Sequence, residues 1–269
     1  MVVTIVAYLQ YSTTFAMMII ILSPSKTLDL SNSTPKEQLS TPAFQTEAEK
    51  LMRSLRKMKN LGKVMKLSDD LATTVEQWHC SWSDDSMLYP TGLSMKGEAF
   101  KALGFDSLDK ESADYARNRM YVLSGLYGAL GPFDGVNPYR LEMAQKFTPY
   151  DDTKSLNGFW AKRLPGFFNQ RASEIEATFL ANLASDEYNK VVLKPELDLN
   201  VINFSFKVET DSGLKNISVF AKQARGAMAR FIIENEIESP EGLRGFKGLG
   251  FRYREDLSDS STLAFTRIR

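Results

Sequence analysis

Histidine and cysteine are almost missing from this chain, whose 269 residues include one of each, His79 and Cys80. A single cysteine excludes an internal disulfide framework and fits a reducing compartment. Two such ligands in all also exclude the Cys/His-rich zinc patterns, which need three or four. Nucleophilic catalysis that relies on imidazole would have to run through His79 alone. Net charge is missing too: 33 basic side chains balance 33 acidic ones, so the chain is not a uniform polycation. The first 25 residues carry no charged side chain, so the basic start of a signal peptide is lacking. Gln10 to Thr14 are all polar or aromatic and cut that stretch into pieces too short to span a membrane. The reading is an N-terminal extension over 1–17, either a start assigned too early or a leader, followed by one soluble domain over 18–269.

What the chain does have is a core. Hydrophobic residues make up 43% and aromatics 11%, enough to fill a domain of this size without staples. Met18–Leu22 reads as a buried strand, followed by a Pro- and Ser/Thr-marked loop to Thr41. Thr41-Pro42 signals a helix start, and Phe44, Ala48, Leu51, Met52, Leu55 and Met58 follow at helical spacing. That helix ends near Asn60-Leu61-Gly62, a short one restarts over Lys63–Leu67, and Ser68 caps a third. Helix is expected over Glu111–Leu123 and Phe159–Leu183, with a short strand at Lys190–Leu193. Val201–Glu209 and Leu214–Ala221 alternate around Asp211-Ser212-Gly213, a hairpin signal. A helix follows over Gln223–Glu238, Ser239-Pro240 caps one more, and Phe251–Arg254 and Leu263–Ile268 close as strands. Hairpins interleaved with helices point to an α+β fold, a mixed sheet covered by helices rather than a doubly wound parallel one.

Charge is unevenly placed. Lys50, Arg53, Arg56, Lys57, Lys59, Lys63 and Lys66 fall within seventeen residues that contain no acid. With those seven set aside, 26 basic residues face the 33 acids, a balance of −7. A tight Leu61-Gly62 hairpin between two helices would turn backbone N–H groups toward a phosphate, with the lysines supplying sequence-independent affinity. The structural alternative is an amphipathic helix pair whose wet face is basic. A second cluster, Lys222, Arg225 and Arg230, shares one broad helix side, and Arg forks suit phosphate or carboxylate. Gly226 between them costs about 1 kcal/mol relative to Ala in a helix, which suggests a close backbone approach.

Other segments are polar beyond the needs of packing. Ser124-Gly125-Leu126-Tyr127-Gly128 is like a phosphate-cradling turn without being a Walker loop or a dinucleotide fingerprint. Asp186 and Glu187 are adjacent acids that point apart on a regular element. Lys26, Asp29, Ser124, Tyr127 and Asp186 are the catalytic candidates if these segments share one pocket, with Arg140 and Arg225 on phosphate. Cys80 reads as structural, since no second cysteine is present to resolve an oxidised thiol.

Taken together, the segments resemble the YaaA family of peroxide-stress proteins. The resemblance rests on LSPSKTLD (Leu22–Asp29), LSDDLA (Leu67–Ala72), LSGLYGALGPFD and NPYRLEM (within Leu123–Met143), and FW (Phe159-Trp160). It continues through NLASDEY (Asn182–Tyr188), AKQARGAMARFIIEN (Ala221–Asn235) and GLGFRYREDLSDSSTLAFTR, ending at Arg267. It implies a cytoplasmic, mostly bacterial protein made under hydrogen peroxide stress that limits free iron and oxidative DNA damage. It further implies a YaaA-type fold that binds double-stranded DNA through a positive cleft and a helix-hairpin-helix element, which here would be Leu51–Leu67. One departure is Ala102-Leu103-Gly104-Phe105, where many relatives have Gly-Asp-Val-Tyr.

The function expected is therefore DNA binding without enzymatic activity, with little sequence preference. The phosphate-binding residues would be Lys50, Arg53, Arg56, Lys57, Lys59, Gly62, Lys63, Lys66, Arg140, Lys222, Arg225 and Arg230. No cofactor, metal, membrane or protein partner is expected. The alternative is an enzyme acting on a nucleotide, nucleoside or damaged base. Iron binding through carboxylates and His79 is weaker, since such sites usually want two histidines.

Overall fold

The computed structural model describes residues 17–83, 87–150 and 153–269. Apart from Met17, the expected N-terminal extension lies outside the described residues. The strands are β1 (Met17–Leu22), β2 (Thr34–Pro35), β3 (Met87–Pro90), β4 (Met120–Ser124), β5 (Gly128–Leu130) and β6 (Gly135–Val136). After them come β7 (Ala177–Leu183), β8 (Asn200–Thr210), β9 (Gly213–Lys215), β10 (Arg252–Tyr253) and β11 (Thr262–Ile268). The helices are α1 (Gln45–Leu55), α2 (Leu61–Met65), α3 (Asp69–Ser81), α4 (Thr91–Ser94), α5 (Glu98–Leu103) and α6 (Lys110–Arg119). They continue as α7 (Leu156–Ala161), α8 (Leu164–Glu174), α9 (Asp186–Asn189), α10 (Ser218–Glu234) and α11 (Pro240–Leu243).

The main sheet runs β10-β11-β8-β7-β1-β4-β5, with β9 paired to β8. Its five inner strands, β11, β8, β7, β1 and β4, are parallel to one another, while β5, β9 and β10 pair antiparallel. The expected mixed sheet is present, but its centre is parallel. β1 explains why: Met18 to Ile21 are wholly buried, as an inner strand covered on both faces must be. A small second sheet joins β2, β3 and β6.

Several sequence expectations fail at one kind of place. Glu111–Leu123 and Phe159–Leu183 are not continuous helices; α6 gives way to β4, and α8 gives way to β7. MYVLS is buried throughout and ATFLANL at all but Thr178 and Phe179, with no regular polar alternation, so periodicity alone does not separate them from helix. Glu176, with φ of 55°, turns the chain from α8 into β7. Lys190–Leu193 is a turn after α9 rather than a strand, and α10 begins at Ser218, leaving β9 only three residues. The first helix starts at Gln45 behind Phe44, so Thr41-Pro42 does not cap it, whereas Ser68 does occupy the N-cap position of α3.

The helix-hairpin-helix also differs from expectation. Leu61 and Gly62 open the five-residue α2 instead of forming a hairpin. Gly62 serves packing: a methyl there would fall 2.6 Å from the Cβ of Ala72 on α3. The left-handed residues that turn the chain are Asn60 before α2 and Lys66 after it. Gly62 is thus a contact between helices, not an outward cradle.

β1 lies between β4 and β7, so the chain leaves β1 toward one side of the sheet and returns on the other. In an open parallel sheet such a reversal leaves a crevice beyond the C-terminal strand ends. Here those ends are Leu22, Ser124 and Leu183.

Candidate functional site

Two regions hold the residues singled out in the sequence. The first is the α1–α2 face. The α1 stripe Ala48, Leu51, Met52 and Leu55 is buried, which turns Arg53 outward, and Lys57, Lys59, Lys63 and Lys66 are also exposed. Among the described residues, none of these five cations has an ion-pair or hydrogen-bond partner for its side chain. Beside them an open groove of about 510 Å³ is lined by Ser54, Met58, Lys146, Phe147, Thr148, Lys154 and Ser155. Lys146 and Lys154 thereby extend the basic face, although they sit about a hundred residues downstream of it in sequence. Gln145 holds that loop to α2, donating from Nε2 to the Val64 carbonyl at 2.9 Å. Lys50 is half-buried, its Nζ 5.2 Å from the centre of the Tyr150 ring.

Arg56 departs from its expected role. Its Nε donates to the His79 carbonyl at 2.6 Å, and its Nη2 donates to the carbonyls of Cys80 (3.2 Å) and Trp82. These are the orphan acceptors at the end of α3, so Arg56 is a cation on the negative end of that helix. It is a cap, not a free phosphate ligand.

The second region is the rim beyond β1, β4 and β7. Ser23, just after β1, accepts from the Ser185 amide at 2.8 Å and donates its hydroxyl to Ser185 Oγ at 3.1 Å. Lys26 Nζ donates to Glu142 Oε2 at 2.7 Å, and Arg140 donates to Glu142 Oε1 at 2.8 Å and to the Lys26 carbonyl at 3.1 Å. These two cations hold the Glu142 carboxyl below its usual range against the opposing effect of its burial. Glu187 Oε1 accepts from the Ala144 amide at 3.2 Å, which draws α9 onto the same strip. Arg140 also donates its backbone N–H to His79 Nε2 at 3.2 Å. Burial lowers His79 to about 4, so its imidazole is neutral at ordinary pH.

Arg225 stands on α10, which packs against β1, β7 and β8. It is half-buried, and loss of solvent disfavours its charge while Asp186 favours it. No hydrogen bond to its guanidinium is present among the described residues. Gly226 is where α10 meets α5: a methyl there would lie 2.6 Å from the carbonyl carbon of Ala99 and 2.9 Å from its Cα. The close backbone approach suggested by the sequence is real, and its partner is protein.

The remaining candidates have structural employment. Ser124 and Tyr127 are 0% and 1% exposed. The Ser124 hydroxyl lies 2.7 Å from that of Tyr139 and accepts from the amides of Leu126 and Tyr127, closing the turn after β4. The Tyr127 hydroxyl accepts from Trp82 Nε1 at 3.1 Å. Ser124 is closed to a ligand, and Tyr127 faces a different cleft, lined also by Ser40, Gln45, Glu49 and Asn137, so neither belongs to the expected pocket. Asp29 is paired with Lys96 at 2.5 Å, and this bond and that of Ser31 hold it down at about 2. Arg230 donates to the carbonyls of Leu103 (2.9 Å) and Gly104 (3.0 Å), and pairs with Glu234 at 2.7 Å. It clamps the end of α5 and the turn that follows. Lys222 is exposed at the start of the same helix, near Glu98. The expected candidates thus divide: Lys26 and Arg140 meet on Glu142, Asp186 lies within electrostatic reach of Arg225, Asp29 is taken by Lys96, and Ser124 is taken by the turn it closes.

Among the described residues, no three His, Cys, Asp or Glu side chains are grouped to hold a metal ion, and no helix is long and apolar enough to cross a membrane.

Residues 18–257 match the family model described as "Peroxide stress protein YaaA". The chain belongs to the YaaA family. Several relatives carry the name UPF0246 protein. One from Clostridium perfringens is 37% identical over 256 residues, covering 93% of this chain and 100% of the relative. One from Clostridium beijerinckii is 39% identical over 255 residues, with 93% and 98% covered. One from Francisella tularensis is 33% identical over 256 residues, with 93% and 100% covered. The family match thus covers both regions above and the main sheet apart from β11.

Proposed function

We propose that this YaaA-family protein grips the phosphate backbone of double-stranded DNA, without an enzymatic step, as part of a cytoplasmic response to peroxide that limits free iron and oxidative DNA damage. The observation that carries the DNA reading is the α1–α2 face, where Arg53, Lys57, Lys59, Lys63 and Lys66 are exposed and unpaired among the described residues. Elsewhere many surface cations are neutralised, as Lys26, Lys96, Lys101 and Arg254 are by neighbouring carboxylates. Unpaired lysines on one side keep a local positive field on a chain of zero net charge, and a duplex replaces its condensed counterions with them. The groove bearing Lys146 and Lys154 widens the contact beyond the helices. Backbone contacts of this sort carry little sequence information.

Binding of a random-sequence duplex by mobility shift tests this. With five to seven phosphate contacts, log affinity falls against log salt with a slope of about −4 to −6. The triple variant K57A/K59A/K63A flattens that slope by about three, equally for unrelated sequences. No binding at low salt, or an unchanged slope in the triple variant, overturns the proposal.

A further inference from the structure

The cleft that Tyr127 faces lies between α1, which supplies Gln45 and Glu49, and the small sheet, which supplies Leu88 from β3 and Gly135 from β6. Its free volume is about 100 Å³, several times the roughly 10–15 Å³ that one water needs. Leu39 and Pro42, with Leu88, give it apolar walls. Three polar side chains of the lining keep unmet hydrogen-bonding capacity. The Tyr127 hydroxyl, on a residue 1% exposed, accepts from Trp82 Nε1 at 3.1 Å and from the Asn137 amide at 3.2 Å. Both lone pairs are then occupied, and no acceptor for its own proton is present among the described residues. Burial raises the pKa of this hydroxyl, so the proton stays on it. Asn137, itself buried, donates from Nδ2 to the Ser83 carbonyl at 2.5 Å, and no donor among the described residues meets its Oδ1. Glu49 is half-buried; its Oε1 accepts from Gln45 Nε2 at 3.3 Å, and its Oε2 has no partner among the described residues. Buried polar groups are ordinarily met, and here one donor and two acceptors line the same cleft. The donor is held in place, because the Tyr127 ring packs edge-on against Tyr139 with centroids 5.2 Å apart.

We infer that this cleft binds a neutral planar lactam, the N–H beside a carbonyl that uracil-like bases present, with the carbonyl accepting from Tyr127 and the N–H donating to Glu49. The chemistry of the lining selects this class. An ammonium ligand would meet Glu49 and leave the Tyr127 proton without an acceptor. A carboxylate or phosphate would meet Tyr127 but bring a second negative charge beside Glu49. A lactam supplies acceptor and donor side by side without charge, and its flat faces suit apolar walls. None of the seven cations between Lys50 and Lys66 lines the cleft, so the inference stands whether or not DNA binds to the basic face.

Calorimetric titration of the full chain tests it. Uracil is expected to bind saturably at one site, and equally well in K57A/K59A/K63A. 1,3-Dimethyluracil keeps both carbonyls, loses both N–H groups, and binds at least about tenfold more weakly. E49A weakens uracil at least about tenfold and brings the two ligands to similar affinity, whereas steric rejection of the methyl groups would preserve the gap. Y127F weakens both ligands alike, since each retains its carbonyls. That variant also unpairs Trp82 and Asn137, so E49A, whose side chain bonds only Gln45 among the described residues, carries the test if Y127F fails to fold. Thymidine offers the same edge on a sugar: binding at least as tight as that of uracil assigns the lactam to a nucleoside, and weaker binding assigns it to a free base. No saturable binding of uracil, equal binding of uracil and 1,3-dimethyluracil, or a gap between them that survives in E49A overturns the inference.

Discussion

Replacing Gly226 by alanine sets two effects of opposite sign against each other. Alanine is favoured over glycine in a helix interior by about 1 kcal/mol, and Gly226 lies mid-way along α10. On propensity alone the variant is more stable. The new methyl, however, would sit 2.6 Å from the carbonyl carbon of Ala99 and 2.9 Å from its Cα, and both are backbone atoms that cannot rotate away. Relief requires α5 to move off α10 by about an ångström, which unseats Phe100 and Leu103, two buried side chains of α5. Overpacking of this kind costs about 1–3 kcal/mol and rises to about 3–5 kcal/mol when backbone must move, so a net loss of about 2–4 kcal/mol is expected once propensity is subtracted. For a chain of this size that is a fall in Tm on the order of 5–15 °C. Gly166 is the matched control: it lies within α8, and a methyl there meets nothing within 4 Å. Gly166→Ala therefore gains about 0.5–1 kcal/mol. Urea melts followed by circular dichroism read both. A Gly226→Ala protein as stable as its parent, or the same direction of change in both variants, would refute the reasoning.

Other expectations concern charge. His79 is lowered to about 4 by burial, and Asp134 is raised to about 6 by burial. The neutral His79 favours the fold above about pH 6.5 and that contribution fades as pH falls toward 4, whereas neutral Asp134 favours the fold at low pH and that contribution fades as pH rises through 6. Each amounts to about 3 kcal/mol, so they oppose one another between pH 4 and 6. Asp134→Asn removes one side, and urea melts of that variant should lose about 2–3 kcal/mol between pH 6.5 and 4.5, more than the parent loses; an identical profile sinks the assignment. Arg56→Ala uncaps α3 and should cost about 1–2 kcal/mol, against less than about 0.5 for Lys57→Ala. A duplex-affinity loss from Arg56→Ala with unchanged stability would return Arg56 to the phosphate-binding set.

What could be read from the sequence was whatever announces itself locally. The apolar stripe of α1 and the Asp211-Gly213 turn after β8 stand close to where periodicity puts them. The excess of basic residues before residue 67 is a matter of composition; six of the seven are exposed, and five of those lack a partner among the described residues. β4 and β7 were hidden because an inner parallel strand has no wet face, so its residues lack the alternation that marks an edge. The task of Arg56 was hidden because its acceptors are main-chain carbonyls 23 to 26 residues away. The rim was half legible: Lys26 and Arg140 stand out as polar, but only the fold brings them together on Glu142. Ser124 and Tyr127 looked the same in sequence, and their burial is a property of the turn they close.

The place of β1 in the sheet has a consequence for synthesis. Its Ile20 pairs with Met120, and its Ile19 with Leu180, 161 positions further along the chain. At about 5–20 residues per second a ribosome needs roughly 8–32 s to deliver that second neighbour. Until β4 emerges, roughly 5–20 s, the wholly apolar segment MMIIIL waits without either lateral partner, and until Leu180 it lacks the second. A nascent chain in this state is a substrate for holding chaperones, and refolding from denaturant should be slow and prone to aggregation in proportion to protein concentration.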